Sequence, residues 1–370
     1  MRYLVILFLA AFALVACDSA PEVFEQAQPN LPETPYAYAP QIPKKTEVTD
    51  EVRNMASAIN DDEATLGRVL FYDKKLSVNN RLACAGCHFQ SHAFSDGKAQ
   101  SPGFARDLTP RNAMAIVNPL TQTSFFWDGR TKDLRDMVLA PVQNHIEMGL
   151  EDMDELEIKL AAVSYYPDLF EKAFGEKSIS KDRVSKALTA FMRSMTSYRS
   201  PFDEGLENNF ANFSETERAG KDLFFGMAGC GNCHNGPDLR QWMPPWGNNH
   251  WEETWANTGL EAIPSDIGAG ARDPNQVGVF RSPSLRNVAL TAPYMHDGRF
   301  ASLEEVIEHY NDGIVASEHL DWRLQQGNFT GEIEPRKLGL TSQQKKQLIA
   351  FLHTLTDQEL IRDERFANPF

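Results

Sequence analysis

"RLACAGCHFQ" (residues 81–90) carries Cys84 and Cys87 three positions apart, with His88 directly after the second. The spacing returns once, in Cys230-Gly231-Asn232-Cys233-His234. The chain has 5 cysteines, so Cys17 alone stands outside these two motifs. Three chemistries use cysteines paired this way. A disulfide framework is one, but so short a bridge is strained and leaves both histidines without a role. A four-cysteine zinc site is the second. Covalent c-type haem fits better, because two thioether bonds hold the porphyrin edge and the adjacent histidine ligates the iron. Under that reading Cys84, Cys87, Cys230 and Cys233 attach two haems, and His88 and His234 are the proximal iron ligands.

The flanks of the two motifs repeat as well. "LGRVLFYDKKLSVNNRLACAGCH" (66–88) places Gly67 four residues before Phe71, and "RAGKDLFFGMAGCGNCH" (218–234) places Gly220 four residues before Phe224. Each reads as a helix feeding a loop that carries the motif. Farther along, "SKDRVSKALTAFMRSM" sets Val184, Leu188, Phe191, Met192 and Met195 on one helical face. "TSQQKKQLIAFLHTL" opens with Thr341 and Gln344 in capping-box register and carries Leu348, Phe351, Leu352 and Leu355. No sustained strand alternation interrupts these helices. The expected fold is mainly α, with two cytochrome c-like haem domains, 51–205 and 206–370, and long irregular connections.

Length and composition agree. A chain of 370 residues holds two domains, and 42% hydrophobic with 24% charged residues is ordinary for a globular protein. A net charge of −15 without a basic stripe argues against a nucleic-acid partner. Residues 1–16 read as a signal peptide: Arg2, then an apolar run too short to span a membrane. Leu14-Val15-Ala16-Cys17 resembles a bacterial lipobox, which implies cleavage before Cys17, its lipidation, and periplasmic anchoring to a membrane. Residues 17–50 are rich in proline and poor in aliphatic residues, the composition of an extended tether.

A di-haem protein of this kind is either an electron carrier or an enzyme. A carrier keeps both irons six-coordinate, whereas a catalyst leaves one position open with acid–base groups above it. "FFWDGR" (125–130), "APVQNHIEMG" (140–149) and "RSPSLRNVALTAPYMHDGR" (281–299), in this order with the two haem motifs, resemble the bacterial di-haem cytochrome c peroxidase family, which includes the MauG-type enzymes. The resemblance runs from about Gly67 to Asp357. It implies that the His88 haem is the peroxide site, that Glu147 is the distal acid–base group and that Pro141 lies over the open iron face. It implies that Trp127 sits between the haems and that Asn112, Thr291 and Pro293 ligate a calcium ion. Heterolysis of an O–O bond needs a group that moves a proton between its oxygens, and a carboxyl suits that task.

The chain departs from the family pattern at three positions. Relatives often carry glutamine four residues before the proline, where Met137 stands here. Reductively activated members carry an iron-plugging histidine in the loop after the first motif, and alignment puts Phe104 there. Phenylalanine cannot ligate iron, and His92 is too near His88 to cross the porphyrin, so the first haem is expected open at rest. Peroxidases of the family place methionine fourteen residues after the "HDG" histidine as distal ligand of the second haem. Counting from His296 reaches Tyr310, as in the MauG-type enzymes, with Met295 the rival ligand. In "SLEEVIEHYNDG" the helical period faces Leu303, Val306, Ile307 and Tyr310 inward and turns His309 elsewhere.

The expected activity is reduction of hydrogen peroxide at the first haem. Electrons come through the second haem from a small cytochrome or cupredoxin donor. MauG-like oxidation of residues on a partner protein is the alternative, and a non-catalytic di-haem electron carrier the reading from another class. The Trp-rich stretch "MPPWGNNHWEETW" (243–255) reads as core packing, and His145, His250, His319 and His353 carry no assigned role.

Overall fold

The computed structural model describes residues 27–242, 251–327 and 332–370. Residues 1–16, expected to be a signal peptide, and Cys17 lie outside them, as does most of the Trp-rich stretch. The described chain is mainly α. Helices α1 (Asp50–Ser57) and α2 (Asp61–Tyr72) precede the first motif, and α3 (Leu134–Met137) and α4 (Ala140–Gln143) follow it. Then come α5 (Met153–Ala161), α6 (Tyr166–Phe174), α7 (Lys181–Ser194), α8 (Pro201–Asn208) and α9 (Glu215–Phe225), which leads into the second motif. Helices α10 (Leu303–Glu308) and α11 (Ser342–His353) close the chain. Two short antiparallel ladders join β1 (Gln241–Trp242) to β2 (Glu252–Glu253) and β3 (Trp255–Ala256) to β4 (Phe280–Arg281).

The repeat in the sequence is a repeat in packing. Helix α2 crosses α7 at Gly67, where an added Cβ would lie 2.0 Å from the Ala187 carbonyl oxygen and 2.7 Å from Phe191 Cβ. Helix α9 crosses α11 at Gly220 in the same way, 1.9 Å from the Gln347 oxygen and 2.9 Å from Phe351 Cβ. Only glycine allows so close an approach. One turn on, Phe71 meets Phe191 at 5.5 Å and Phe224 meets Phe351 at 5.0 Å. Thr341 and Gln344 form the capping box that the sequence predicts, and Ser180 accepts from Arg183 N–H at the start of α7. Each helix pair presents an aromatic floor to the motif that follows its first member.

Two hydrophobic clusters result. One gathers residues from Tyr38 to Met195, and the other runs from Phe202 to Leu355. The two clusters part between Met195 and Phe202, and Leu360 and Phe366 return to the first. One expectation needs correction here: residues 27–50 do not stand off as a tether. Tyr38 is 0% exposed in the first cluster, with its N–H on Asp61 and its hydroxyl on the Arg365 carbonyl. Arg53 donates to the carbonyls of Ile42, Pro43, Lys44 and Thr46. Composition alone hid this, because a few aromatic anchors and one arginine suffice to pin a proline-rich strap. Truncating Tyr38 to alanine is expected to cost about 3 kcal/mol, typical of a buried aromatic. Denaturant unfolding measures it, and a loss below about 1 kcal/mol would be that of a surface change and would mean the strap is not part of the folded unit.

Candidate active site

Each Cys-x-x-Cys-His motif begins with a single 3₁₀ turn, Cys84–Gly86 and Cys230–Asn232. Beyond each, the chain reverses and aims a carbonyl at the motif histidine. Phe94 and Leu239 do this from left-handed backbone, at φ 61° and 52°. His88 Nδ1–H donates to Phe94 O over 2.7 Å, and His234 Nδ1–H donates to Leu239 O over 2.9 Å. That leaves Nε2 on both rings as the nitrogen free to ligate. Burial holds both imidazoles neutral, His234 down to about 4, and the neutral form is the one that binds metal.

The four cysteines are free thiols, with no disulfide in either motif. Burial pushes Cys84 and Cys230 up to about 12 and Cys87 and Cys233 up to about 11, so all four are neutral. A structural zinc site needs ligands gathered as thiolates. The two pairs lie in separate halves, and no group of three or more His, Cys, Asp or Glu among the described residues could hold a metal ion. These donors fit covalent haem: one imidazole nitrogen and two unpaired thiols per half, beside an aromatic floor.

A cavity of about 970 Å³ opens beside the first motif. It lies at the upper end of the 300–1,000 Å³ range of cofactor pockets. Cys84, Cys87 and His88 line it, and so do Met137, Pro141, Glu147 and Trp127. Glu147 is set by a tight turn after α4. Asn144 Oδ1 accepts from the N–H groups of Ile146 and Glu147, and Met148 N–H returns to Pro141 O at 3.2 Å. Burial raises the Glu147 carboxyl above its ordinary range, against the pull of Arg130. A raised carboxyl in a cleft is suited to take and return a proton.

Phe104 does not line the cavity. Its ring packs over Gly149, where an added Cβ would lie 2.4 Å from it, and its N–H donates to Glu147 O at 2.8 Å. His92 is exposed and paired with Ser91. Neither residue reaches the wall shared by His88 and Glu147. Met137 does stand on that wall, where relatives' glutamine is expected.

Trp127 lies at the seam of the halves. Its indole N–H donates to Asn112 O at 2.9 Å, and its carbonyl accepts from Arg281 N–H at 2.8 Å. Asn112 N–H in turn donates to His296 O at 2.7 Å. The Asn112 amide nitrogen is used on Lys98 O, which leaves Oδ1 on the seam. Pro293 forms a cis peptide bond with Ala292, and Thr291 precedes that bond.

Tyr310 follows α10, but not on a continuous α-helix. From His309 to Gly313 the chain widens into a π turn. His309 is buried, with Nε2 on Thr258 O at 2.9 Å. Burial raises the Tyr310 phenol, and the Cys233 and Cys230 thiols and Asp321 add to the rise, so the hydroxyl lies within electrostatic reach of the second motif. The α period turned Tyr310 inward and His309 elsewhere, but His309 is buried and Tyr310 half-buried, because the π turn changes the period there. Sequence reasoning missed the π turn, for which residue pattern carries no signal. It also missed several cavity-lining residues: His145, Arg130, Arg281 and His296. All four stand inside motifs quoted above, Arg281 and Arg130 at their ends, which was the available signal.

The fold and these paired motifs define a mainly α, two-motif c-type cytochrome. The chain belongs to the di-haem cytochrome c peroxidase family, whose profile matches residues 61–211 and whose members carry two c-type haems. It is 32% identical over 305 residues to the methylamine utilization protein MauG of Methylorubrum extorquens, covering 81% of this chain and 80% of that one. It is 33% identical over 254 residues to the cytochrome c551 peroxidase of Nitrosomonas europaea, covering 67% and 72%. A solved MauG-like protein associated with microbial copper homeostasis superposes with TM-score 0.75 at 36% identity, over 89% of this chain and 98% of that one. The family's enzymes are peroxide-dependent oxidoreductases.

Proposed function

We propose that this chain is an exported di-haem peroxidase that reduces hydrogen peroxide to water at the His88 site. Electrons arrive through the His234/Tyr310 site from a small cytochrome or cupredoxin. The observation that carries this is the shared cavity wall of His88, Trp127, Pro141 and Glu147. Each half is read as a cytochrome c-like haem domain, with Cys84/Cys87 and Cys230/Cys233 as thioether anchors. When bound, the haems supply iron for peroxide to coordinate and a store for oxidising equivalents. Glu147 takes a proton from one peroxide oxygen and delivers it to the other, which leaves as water. Overall, one peroxide, two electrons and two protons become two waters. Pro141, which has no atom that can ligate iron, would line the place where peroxide binds, and the Trp127 indole at the seam would pass electrons between the halves. Asn112 Oδ1 and the carbonyls of Thr291 and Pro293 are the hard oxygen donors a calcium ion would take. A lipid on Cys17 would anchor the mature chain to a bacterial membrane.

MauG-like oxidation of residues on a partner protein is the second reading. Tyr310 beside the second motif and Phe104 withdrawn from the first cavity favour it. Both features predict that resting ferric protein reacts with stoichiometric peroxide. Stopped-flow absorbance through the Soret and near-infrared should show a fast change without prior reduction. Silence until one haem is reduced would mean a hidden sixth ligand at the first haem and return the chain to the reductively activated peroxidases.

A further inference from the structure

Beyond α11 the chain leaves the second half and crosses to the first. Phe366, 1% exposed, sets its ring edge-on to Phe94, 6.3 Å away at 88°, and 6.0 Å from Phe191. Gln90 Nε2 donates to the carbonyls of Leu360 at 3.0 Å and Asp363 at 2.9 Å. The tail is itself fixed from α2, by Arg68 Nε to Ala367 O at 2.7 Å and Tyr72 hydroxyl to Phe366 O at 2.6 Å. So the tail grips both ends of the turn from Gln90 to Phe94. That turn presents the Phe94 carbonyl to His88 Nδ1–H. Phe94 holds a φ of 61°, a conformation an aromatic residue keeps only when its surroundings impose it.

We propose that Gln90 and Phe366 are positioning residues for His88, through which the C-terminal tail sets the electronic character of the first haem's proximal ligand. The inference rests on the reading of His88 as that ligand. A short, well-aimed Nδ1–H bond gives the imidazole anionic character and makes it a stronger donor to iron. The second histidine is held by Leu239 O, which packs in the other cluster and which no bond from residues 358–370 reaches among the described residues. The device is therefore specific to one haem.

The test uses the haem-loaded, full-length chain with Gln90→Ala, Phe366→Ala and Phe366→Leu. Spectroelectrochemistry gives the midpoint potential of each haem, and low-temperature EPR gives the ferric line shapes. The expected result is a higher potential and a broadened signal for the first haem in Gln90→Ala and Phe366→Ala, with the second haem unchanged. Phe366→Leu should recover most of the shift. Peroxide cleavage should fall about tenfold, the lower end of what loss of an outer ligand contact costs. Gln90→Ala keeps the aromatic packing, so it remains informative if Phe366→Ala does not fold. Wild-type potentials in Gln90→Ala, or equal shifts at both haems, would overturn the proposal. Because potentials are read without peroxide, a wild-type protein inert to peroxide would overturn the peroxidase reading and leave this one to be decided by the shifts.

Discussion

Replacing Glu147 with glutamine lowers the rate of peroxide cleavage by about 10²- to 10⁴-fold, the usual worth of a positioned acid–base group. Both haem spectra should stay in place, because the exchange leaves the cysteines and histidine of both motifs unaltered. The amide keeps the shape and the backbone bonds to Asn144 and Phe104. It loses the one property the step needs, a basic oxygen that accepts a proton and returns it. The pH dependence follows from the same group. Only the carboxylate can take the first proton, so the rate falls as pH drops through the Glu147 pKa. Burial raises that pKa, with Arg130 opposing, so the inflection should lie above the ordinary 4.5. The glutamine variant should show no such inflection. Stopped-flow rates across pH check both points. Unchanged cleavage in the variant would remove Glu147 from the mechanism. His145, on the same cavity wall, would then be the next residue to test.

The haem motifs, the helices that flank them and the Gly67/Gly220 repeat were legible because each leaves a local mark: Cys-x-x-Cys-His needs its spacing, a helix its period, and a capping box two residues three apart. That the two glycines mark helix crossings was not legible, because Ala187 and Gln347 lie far along the chain. What stayed hidden depends on distant partners. The strap around Tyr38 is held by Asp61 and Arg365, the latter more than three hundred residues away. The tail that carries Phe366 reads in sequence as the end of the second half, yet it packs in the first. Cavity walls mix residues from both halves, so no window of sequence could gather Glu147 with His296. The two halves themselves are stitched by buried polar groups that periodicity does not see. Asp238 accepts from Asn118, and Arg240, held by Glu253 at 2.7 Å within its own half, donates across to the Thr121 carbonyl. Such pairs matter because breaking one leaves a buried charge uncompensated.

Exchanging Tyr310 for methionine is expected to raise the midpoint potential of the second haem by on the order of 100 mV, a modest part of the span that axial ligands command. The π turn from His309 to Gly313 makes this exchange local. Tyr310 sits in a widened turn after α10, while His309 anchors that turn to Thr258 O and Ile307 stays in the core. The Cys230 and Cys233 thiols act electrostatically on the phenol, so a side chain of similar length at the same place would stay beside the second motif. A phenolate stabilises oxidised iron, whereas a thioether favours the reduced state. In the variant the second haem should therefore hold an oxidising equivalent less well. Peroxide should still react at the His88 site, since Glu147 and the open face are untouched. The oxidised protein should decay faster, because fewer equivalents are shared across Trp127. Spectroelectrochemistry reads the potential, and near-infrared absorbance after stoichiometric peroxide reads the lifetime. A potential and spectrum identical to wild type would show that Tyr310 is not the ligand. Met295→Leu would then be the deciding exchange, silent if Tyr310 ligates and disruptive if Met295 does.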